Sequence, residues 1–408
     1  MKIAYISYEL PPDIAKGGIG TYTMQVASSM VSEGNEVHIF AGSNYRNETE
    51  KIALIYVHRI LCTCPFDFTE KVSLKFSLVN SVVNFDIIEC PEIHGNASLI
   101  KKMFPEIPLI VRLHAPNHLV ESLKKTYTSL FEKARFTLGA WRRGNFTKGW
   151  GSYNKENDLD YIFTKIADVI TAPSFAMKKW AEDHWNIKDD KIKVVSNPFL
   201  VPLQLSDIPI TENLDYKTIL FFGRLNVLKG LVNFTKAIRK FLKENEDWKV
   251  VVIGDDSAGP YSTKSMKQWM ICYLGQIQNQ VIFFDGMPQK ELYEKIKLCE
   301  IVVLPSLFET FSYTCVEAMA AGKAVVGSNK GGMSDLIEEN KSGILVNPYN
   351  YQEIYNAIIK VVNNNELRKQ LSLSARNKIC GNQYNQNIKI EMMNLYKEVL
   401  INDKNKHN

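Results

Sequence analysis

The 408-residue sequence lacks any apolar run near the roughly 20 residues that a helix needs to cross a bilayer. Its first residues read as a strand and do not have the pattern of a secretory signal. Cysteine is scarce, with seven residues in an odd and scattered set, which favours reduced thiols over a disulfide framework. Cys62 and Cys64 have no second pair to complete a zinc site. We therefore expect a cytoplasmic protein.

The sequence also lacks internal repeats, low-complexity tracts and a dinucleotide-binding loop. Gly17, Gly18 and Gly20 open a predicted helix, but about ten residues separate them from the first strand, whereas a G-x-G-x-x-G loop follows its strand directly. This spacing excludes a nicotinamide cofactor. The three glycines would instead allow the backbone to approach a ligand closely; the alternative is an ordinary turn at a helix start.

The composition is that of a globular protein with two domains. Hydrophobic residues make up 45% of the chain and charged residues 23%, and the net charge of +5 is modest. Short apolar runs alternate with helical patterns in both halves, which predicts α/β domains with mostly parallel sheets. The predicted strands include 3–7, 37–41, 85–89, 109–113, 218–222, 250–254, 281–286 and 301–305.

The stretch 309–332 has the residues expected of a site for an anionic, hydroxylated ligand. It follows a buried strand, and Ser312 or Thr314 can cap the helix that it starts. Amides of Phe311, Ser312 and Tyr313 at the positive end of that helix would hold a phosphate. Glu309 and Glu317 would accept hydrogen bonds from sugar and ribose hydroxyls. The alternative is an acidic helix start that satisfies its own N–H groups.

A second group of residues follows the strand 218–222. Gly223, Arg224 and Lys229 lie in the order G-R-L-x(3)-K-G. A departing diphosphate carries charge that fixed cations can neutralise without a metal. The alternative is that Arg224 and Lys229 are ordinary surface charges.

The order of residues from Glu309 to Gly332 resembles the signature of the retaining GT-B glycosyltransferases. It comprises Glu309, Glu317, the run Ala-Met-Ala-Ala-Gly at 318–322, Val-Val at 325–326 and Gly-Gly at 331–332. These glycogen-synthase-like enzymes, which include glycosyltransferase family 4 and the glycosyl transferases group 1, use nucleotide-sugar donors. The resemblance implies two Rossmann-like doubly wound α/β domains facing each other across a cleft. Residues 1–203 would bind the acceptor and 204–383 the donor, with the C-terminal helix 384–408 packing back on the first domain.

The resemblance also implies roles for individual residues. His114, in Arg-Leu-His, would lie near the transferred sugar, and Arg224 and Lys229 would contact the donor diphosphate. Catalysis would rest on these three residues and Glu309. The donor site would comprise Gly17, Gly18, Gly20, Gly223, Arg224, Lys229, Met287, Pro288, Glu309, Phe311, Ser312, Tyr313 and Glu317, with Met287 and Pro288 against the base. No metal or cofactor is expected, because Asp255 and Asp256 do not form the Asp-x-Asp motif of metal-dependent GT-A enzymes.

Residues 124–153 interleave lysine and arginine with aromatic residues, and no clean helical period is evident. Such a surface can bind an anionic acceptor or an acidic membrane face. It can also stack bases, but nothing else in the sequence indicates a nucleic acid. The remaining interpretation is a solvated insertion that contributes some aromatic residues to the core.

The predicted function is retaining transfer of a sugar from a UDP- or GDP-sugar to a hydroxyl of a glycan, lipid-linked or small-molecule acceptor. Bacterial polysaccharide, glycolipid or glycoconjugate synthesis is the expected setting, in the cytoplasm or peripherally on the inner face of the membrane. Two alternatives remain: a non-catalytic subunit that binds a nucleotide sugar beside a partner enzyme, and a GT-B epimerase.

Overall fold

A computed structural model describes residues 1–14, 17–144, 153–210 and 216–407. The chain divides into two compact units. The N-unit comprises Met1–Asn117, Asn154–Leu200 and Asn385–Asn408, and the C-unit comprises His118–Tyr153 and Val201–Tyr384.

Strands and helices alternate through most of both units. In chain order the strands are β1 Lys2–Ser7, β2 Glu36–Ser43, β3 Glu48–Ile52, β4 Ile55–Leu61, β5 Ile87–Pro91, β6 Leu109–Arg112, β7 Val169–Ala172, β8 Ile192–Val194, β9 Thr218–Phe222, β10 Lys249–Ile253, β11 Val281–Phe284, β12 Ile301–Leu304, β13 Ala324–Ser328 and β14 Ile344–Val346. The helices are α1 Gly18–Ser32, α2 Pro65–Val83, α3 Ser98–Met103, α4 Asn117–Lys124, α5 Leu130–Arg142, α6 Leu159–Lys165, α7 Phe175–Trp185, α8 Leu203–Ser206, α9 Leu231–Glu244, α10 Met266–Leu274, α11 Gln289–Lys297, α12 Tyr313–Ala320, α13 Met333–Leu336, α14 Tyr351–Val362, α15 Asn365–Cys380 and α16 Asn382–His407.

The N-unit contains a sheet with the strand order β3-β4-β2-β1-β5-β6-β7-β8. Its strands pair in parallel except for β3, which runs antiparallel to β4. β3 reads Glu-Thr-Glu-Lys-Ile and is mostly exposed, which suits an edge strand because charged side chains discourage pairing with other chains. Strand order reverses between β1 and β5, so the loops after these strands diverge there and leave room for a ligand.

The C-unit contains an all-parallel sheet with the order β11-β10-β9-β12-β13-β14. Its central strands β9 (Thr-Ile-Leu-Phe-Phe) and β12 (Ile-Val-Val-Leu) are buried throughout, as expected where helices cover both faces of a parallel sheet. This is the doubly wound order of nucleotide-binding folds. Its reversal lies between β9 and β12, and the glycine and acidic motifs from the sequence directly follow these two strands.

The C-terminal helix α16 completes the N-unit. Its apolar positions are buried at helical spacing, at Ile388, Met392, Leu395, Tyr396 and Val399. The Asn385 amide donates to the Phe199 carbonyl at 2.5 Å and accepts from the Phe199 N–H at 2.9 Å. The return of the C-terminal helix to the first unit, predicted with the fold class, is confirmed.

The described residues of the segment 118–153, which are 118–144 and Tyr153, differ from the prediction in two ways. The predicted boundary placed them in the first domain, but by their contacts they belong to the C-unit. The Tyr127 hydroxyl accepts from the Asn233 side chain at 3.2 Å, and the Tyr127 carbonyl accepts from the Tyr261 N–H at 3.0 Å. Residues 145–152 lie outside the described residues.

The second difference is a regular helix, α5, where the sequence showed no clean period. Ser129 and Glu132 form a capping box: the Ser129 hydroxyl accepts from the Glu132 N–H at 3.2 Å, and the Glu132 carboxylate accepts from the Ser129 N–H at 2.6 Å. This Ser-x-x-Glu spacing was the signal available in the sequence. The helix was missed because its apolar side chains are exposed and so do not mark a buried face.

Candidate functional site

In the C-unit, the loops after β9, β10 and β12 approach one another backbone to backbone. A Cβ atom on Gly230 would lie 1.7 Å from the Pro305 carbonyl oxygen, and one on Gly254 would lie 2.0 Å from the Gly223 oxygen. Both Gly230 (φ 70°) and Gly254 (φ 151°) also have positive φ values that L side chains rarely adopt. Only glycine therefore allows these strand ends to converge at the point where the strand order reverses.

Lys229 and Glu309 meet at this convergence as an ion pair. The Ser306 hydroxyl donates to Glu309 Oε1 at 3.0 Å, and the Glu309 carbonyl accepts from the Gly332 N–H at 2.5 Å. A Cβ on Gly331 would lie 2.1 Å from that carbonyl oxygen. Glu309 is thus held through both its side chain and its main chain. Two residues 80 positions apart, predicted separately for the site, are in direct contact.

Arg224 lies in the turn after β9 and is exposed, with no ion-pair partner in the described part of the chain. Its turn is fixed by the Leu225 N–H, which donates to the Asp255 carbonyl at 2.8 Å. The Asp255 carboxylate accepts from the Gly286 N–H at 3.2 Å, and so holds the turn that leads to Met287 and Pro288. Asp255 therefore has a structural role here, in line with its interpretation as a loop carboxylate.

Helix α12 starts at the same edge of the sheet. The Ser312 hydroxyl accepts from the Cys315 N–H at 3.2 Å, so Ser312, and not Thr314, is the cap. Phe311 and Ser312 are buried, and Tyr313 is partly buried. A helix start carries free N–H groups and the positive end of the helix dipole, which favours an anion there.

Glu317 lies inside α12 and is only 8% exposed. Burial raises the pKa of its carboxyl to about 7, although the Gln289 side chain opposes the shift. The neighbouring Tyr293 on α11 has a buried hydroxyl with no hydrogen-bond partner among the described residues. Tyr293 was not among the predicted site residues, because the sequence pattern of a tyrosine on the buried face of a helix indicates a core residue.

In the N-unit, His114 follows β6, which pairs with β5, one of the two strands between which the strand order reverses. Its main-chain N–H donates to the Glu92 carboxyl at 2.9 Å, and its ring lies edge-on to Tyr22 with 5.1 Å between ring centroids. His114 is 7% exposed. Burial, followed by the charge of Arg112, lowers the pKa of the His114 ring to about 3.

Steric crowding requires glycine at only one of the three glycine positions near the start of α1. A Cβ on Gly20 would lie 2.6 Å from Pro11 Cδ, whereas one on Gly17 would make an ordinary contact of 3.4 Å with Glu9, and one on Gly18 would meet nothing within 4 Å. Gly17 precedes α1 without a side-chain cap. The loop residues 15 and 16 lie outside the described residues.

Among the described residues, no group of three or more histidine, cysteine or acidic side chains is placed to hold a metal ion. No helix in these ranges combines the length and apolar character needed to cross a bilayer.

Comparison with known families agrees with this geometry. The profile described as "Glycosyltransferase Family 4" matches residues 16–199, and the profile "Glycosyl transferases group 1" matches residues 206–378. The two matches together span both units. The chain belongs to the GT-B glycosyltransferases.

Individual proteins similar to this glycosyltransferase align over nearly its whole length. The uncharacterized glycosyltransferase MJ1607 of Methanocaldococcus jannaschii is 25% identical over 97% of this chain and 98% of its own. Sucrose-phosphate synthase of Thermosynechococcus elongatus shares the fold with a TM-score of 0.74 at 17% identity, covering 98% and 99% of the two chains. Anabaena Alr3699/HepE in complex with UDP gives a TM-score of 0.66 at 16% identity, covering 98% and 100%; it has also been solved with UDP-glucose.

Proposed function

We propose that this glycosyltransferase moves a sugar from a nucleotide-diphosphate sugar to an acceptor hydroxyl with retention of anomeric configuration. The observation that carries the proposal is the Lys229–Glu309 ion pair at the switch point of the C-unit sheet. Open α/β sheets bind their ligands at this point. The complex of the Anabaena neighbour with UDP-glucose supports a nucleotide sugar as the donor.

In this proposal, Lys229 and Arg224 bind the donor diphosphate. Arg224 has no ion partner among the described residues, and Lys229 exchanges Glu309 for the phosphate oxygens. The exchange frees the Glu309 carboxylate to accept hydrogen bonds from the sugar hydroxyls. Because the fixed cations stabilise charge as the bond to the diphosphate breaks, the proposed reaction needs no metal.

The proposed retaining step uses the leaving phosphate as the base. In the donor complex, Glu309 would keep the Ser306 hydroxyl and accept from the sugar hydroxyls, so we assign it as a ligand for hydroxyls and not as the nucleophile. The leaving phosphate would then take the proton of the acceptor hydroxyl on the same face of the sugar. A trapped covalent sugar–enzyme intermediate would contradict this step.

The N-unit would bind the acceptor, with His114 near the transferred sugar. We further propose that residues 124–153 contact an anionic membrane through α5 when the acceptor is lipid-linked. Leu130, Phe131, Leu138 and Trp141 on this helix are 83%, 75%, 61% and 47% exposed. Lys133, Arg135 and Arg142 lie on the same helix, where they would face acidic headgroups.

The proposed function is tested in two steps. A panel of UDP-, GDP- and ADP-sugars is screened for thermal stabilisation, because a ligand that binds only the native state raises its melting temperature. The selected donor is then incubated with the protein and candidate acceptors. We expect release of the nucleoside diphosphate, and expect Lys229→Ala and Glu309→Ala each to lower its rate by at least about 100-fold.

Lys341→Ala is the matched control. Lys341 pairs with Glu338 at 2.6 Å in the same unit, but both side chains are exposed and neither residue was predicted for the donor site. The Lys341→Ala variant should release the nucleoside diphosphate at the wild-type rate. Wild-type turnover in Lys229→Ala would contradict the proposed site. Donor binding without turnover would indicate a non-catalytic subunit, and a changed sugar without nucleotide release would indicate an epimerase.

A further inference from the structure

The turn that follows β5 in the N-unit has an uncommon backbone. His94 (φ 62°) and Gly95 (φ 58°) are consecutive residues in the left-handed region, which few residues other than glycine adopt. A Cβ on Gly95 would lie 3.2 Å from Phe163 of α6, so this helix packs closely against the turn. Residues in this conformation persist where the surrounding structure holds them, and they concentrate at functional sites.

Buried carboxyl groups connect this turn to the loop after β6. Asp160 is 1% exposed, and its carboxylate accepts from the His94 N–H at 3.2 Å and from the Asn117 N–H at 2.8 Å. Glu92 is fully buried and accepts from the His114 N–H at 2.9 Å. The turn and the loop are therefore joined at two points, and His94 is held beside the loop that carries the predicted catalytic histidine.

A third contact joins the same turn to the start of α2. The Asn96 side chain donates to the Pro65 carbonyl at 3.2 Å and to the Thr69 hydroxyl at 2.8 Å. Phe66, in this first turn of α2, has its ring centroid 6.2 Å from that of His94 at an interplanar angle of 62°. Phe66 is 59% exposed, and His94 is partly exposed. Because the two rings follow the parallel strands β4 and β5, they stand at the carboxyl edge of the sheet, where open α/β sheets bind ligands.

The two rings offer complementary chemistry to a ligand. Among the described residues, the His94 ring has no hydrogen-bond partner. Burial lowers the pKa of this ring, although the charge of Asp160 opposes the shift. A neutral imidazole has one N–H donor and one accepting nitrogen, so it can either donate to a hydroxyl or accept from one. The exposed ring of Phe66 provides a flat apolar surface, and small-molecule sites combine such surfaces with a few polar groups.

We propose that His94 and Phe66 form an acceptor subsite that binds a ring bearing hydroxyl groups, such as a sugar or a cyclitol. One face of the bound ring would lie on Phe66, and one of its hydroxyls would bind the His94 imidazole. Asp160 is a positioning residue of this subsite, since it holds the His94 main chain. The role as acceptor rests on the proposed function, whereas binding of the hydroxylated ring does not.

The first test measures binding without a donor. Full-length protein labelled with 13C-histidine is titrated at pH 7.5 with methyl β-D-glucopyranoside, N-acetylglucosamine and myo-inositol, and with glycerol as an open-chain polyol. The His94→Asn variant identifies the His94 signal. We expect at least one ring probe to shift this signal in a saturable way, and glycerol to leave it unchanged. The proposal is wrong if no ring probe shifts the signal, or if glycerol shifts it equally.

The second test uses variants, with binding of the ring probe measured by saturation-transfer difference. Phe66→Leu keeps an apolar side chain but removes the aromatic ring, and should weaken binding about three- to tenfold. His94→Asn should weaken it by about the same factor through loss of a hydrogen bond. Asparagine tolerates the left-handed region, so the turn should keep its backbone. Both variants should melt at the wild-type temperature.

His184→Asn is the matched control. The His184 ring stacks on Trp180 with 4.8 Å between ring centroids, so the control also removes a histidine from an aromatic pair in the N-unit. His184 lies in the last turn of α7, which starts after β7 at the carboxyl edge and runs towards the opposite edge of the sheet. This variant should bind the ring probe as the wild type does.

The outcomes separate the subsite from the proposed function. Wild-type probe binding in a folded Phe66→Leu or His94→Asn variant would contradict the subsite. Once a donor is identified, both variants should raise the KM for a ring acceptor, and transfer with an unchanged acceptor KM would contradict the subsite while leaving the proposed function intact. Binding of a ring probe at His94, combined with no transfer from any donor, would contradict the proposed function and leave the subsite intact.

Discussion

At the scale of single residues, the two acidic groups of the C-unit have different environments. Glu309 is paired with Lys229 and therefore already has a partner for its charge. Glu317 lies buried in α12, where burial raises the pKa of its carboxyl to about 7. Near neutral pH, Glu317 is thus divided between its acid and its carboxylate, and only the carboxylate accepts a hydrogen bond from each hydroxyl of a ribose.

We predict that affinity for the nucleoside diphosphate of the donor rises with pH through Glu317. With a pKa of about 7, the carboxylate fraction increases about tenfold from pH 6 to pH 8, and affinity should follow it. Calorimetric titration at several pH values measures this. The phosphate of the ligand also titrates in this range, so the decisive comparison is with Glu317→Gln. Equal pH dependence in both proteins would show that Glu317 does not contact the nucleotide.

The residues of the C-unit site were accessible from sequence because each follows a strand within a short motif. Arg224 and Lys229 lie in the turn after β9, and Glu309 in the turn after β12. Tyr22 and Tyr396 were not accessible. They bind Glu89 from positions 67 and 307 residues away, and only the fold brings such distant side chains together.

At the scale of elements, α5 carries its apolar side chains on the outside. Leu130, Ala134, Leu138 and Trp141 recur at intervals that place them on one side of a helix, and all four are exposed. Its start is fixed by a capping box, and Tyr127, just before the helix, accepts from the Asn233 side chain. A regular helix with an exposed apolar face and flanking arginines suits binding to an acidic bilayer. In the sequence, basic and aromatic residues interleave with these four positions and obscure the period, which is why this element escaped prediction.

We predict that the protein binds vesicles containing phosphatidylserine and phosphatidylcholine, and binds vesicles of phosphatidylcholine alone more weakly. Phe131→Ser combined with Leu138→Ser should lower binding at least about tenfold, since fully burying one such side chain contributes about 1.5–3 kcal/mol. Cosedimentation measures the bound fraction, and added salt should weaken it.

The matched control replaces Leu74 and Leu78 on α2 with serine. These two leucines are 65% and 72% exposed, so the control removes similar apolar surface from a different helix. It should bind vesicles as the wild type does. If both double variants lose vesicle binding equally, the membrane contact is not specific to α5. If the wild type binds both lipid mixtures equally, acidic headgroups do not contribute to the contact.

At the scale of the whole molecule, a pair of histidines is buried in contact in the N-unit. His38 Nδ1 and His58 Nε2 are 2.9 Å apart, and each residue is 4% exposed. Phe40 stacks on the His58 ring with 4.5 Å between ring centroids, and the Thr49 hydroxyl contacts His58 Nδ1 at 2.9 Å. Burial, followed by the neighbouring His38, lowers the pKa of His58 to about 3.

We predict that His58 destabilises the fold as pH falls below about 6.5, the ordinary pKa of histidine. Between pH 3 and this value the unfolded chain binds a proton that the folded chain does not, so the free energy of unfolding decreases, by about 1.4 kcal/mol at pH 5.5. The melting temperature, measured from pH 5 to 7.5, should therefore change less steeply with pH for His58→Gln than for the wild type. His184→Gln, at an exposed histidine on α7, serves as the control. A slope in His58→Gln equal to that of the wild type would refute the prediction.

The helix α16 has a consequence for how the protein is made. Tyr396, which binds Glu89 and contacts the Tyr5 hydroxyl at 3.0 Å, lies in the last segment of the chain, Asn385–Asn408. The ribosome synthesises the strands β1 and β5 first, then the whole C-unit, and only then the helix that completes the N-unit. The contacts of the N-unit can therefore be completed only after residue 396 has been synthesised, and a nascent chain stalled before residue 385 would leave Glu89 without its second tyrosine.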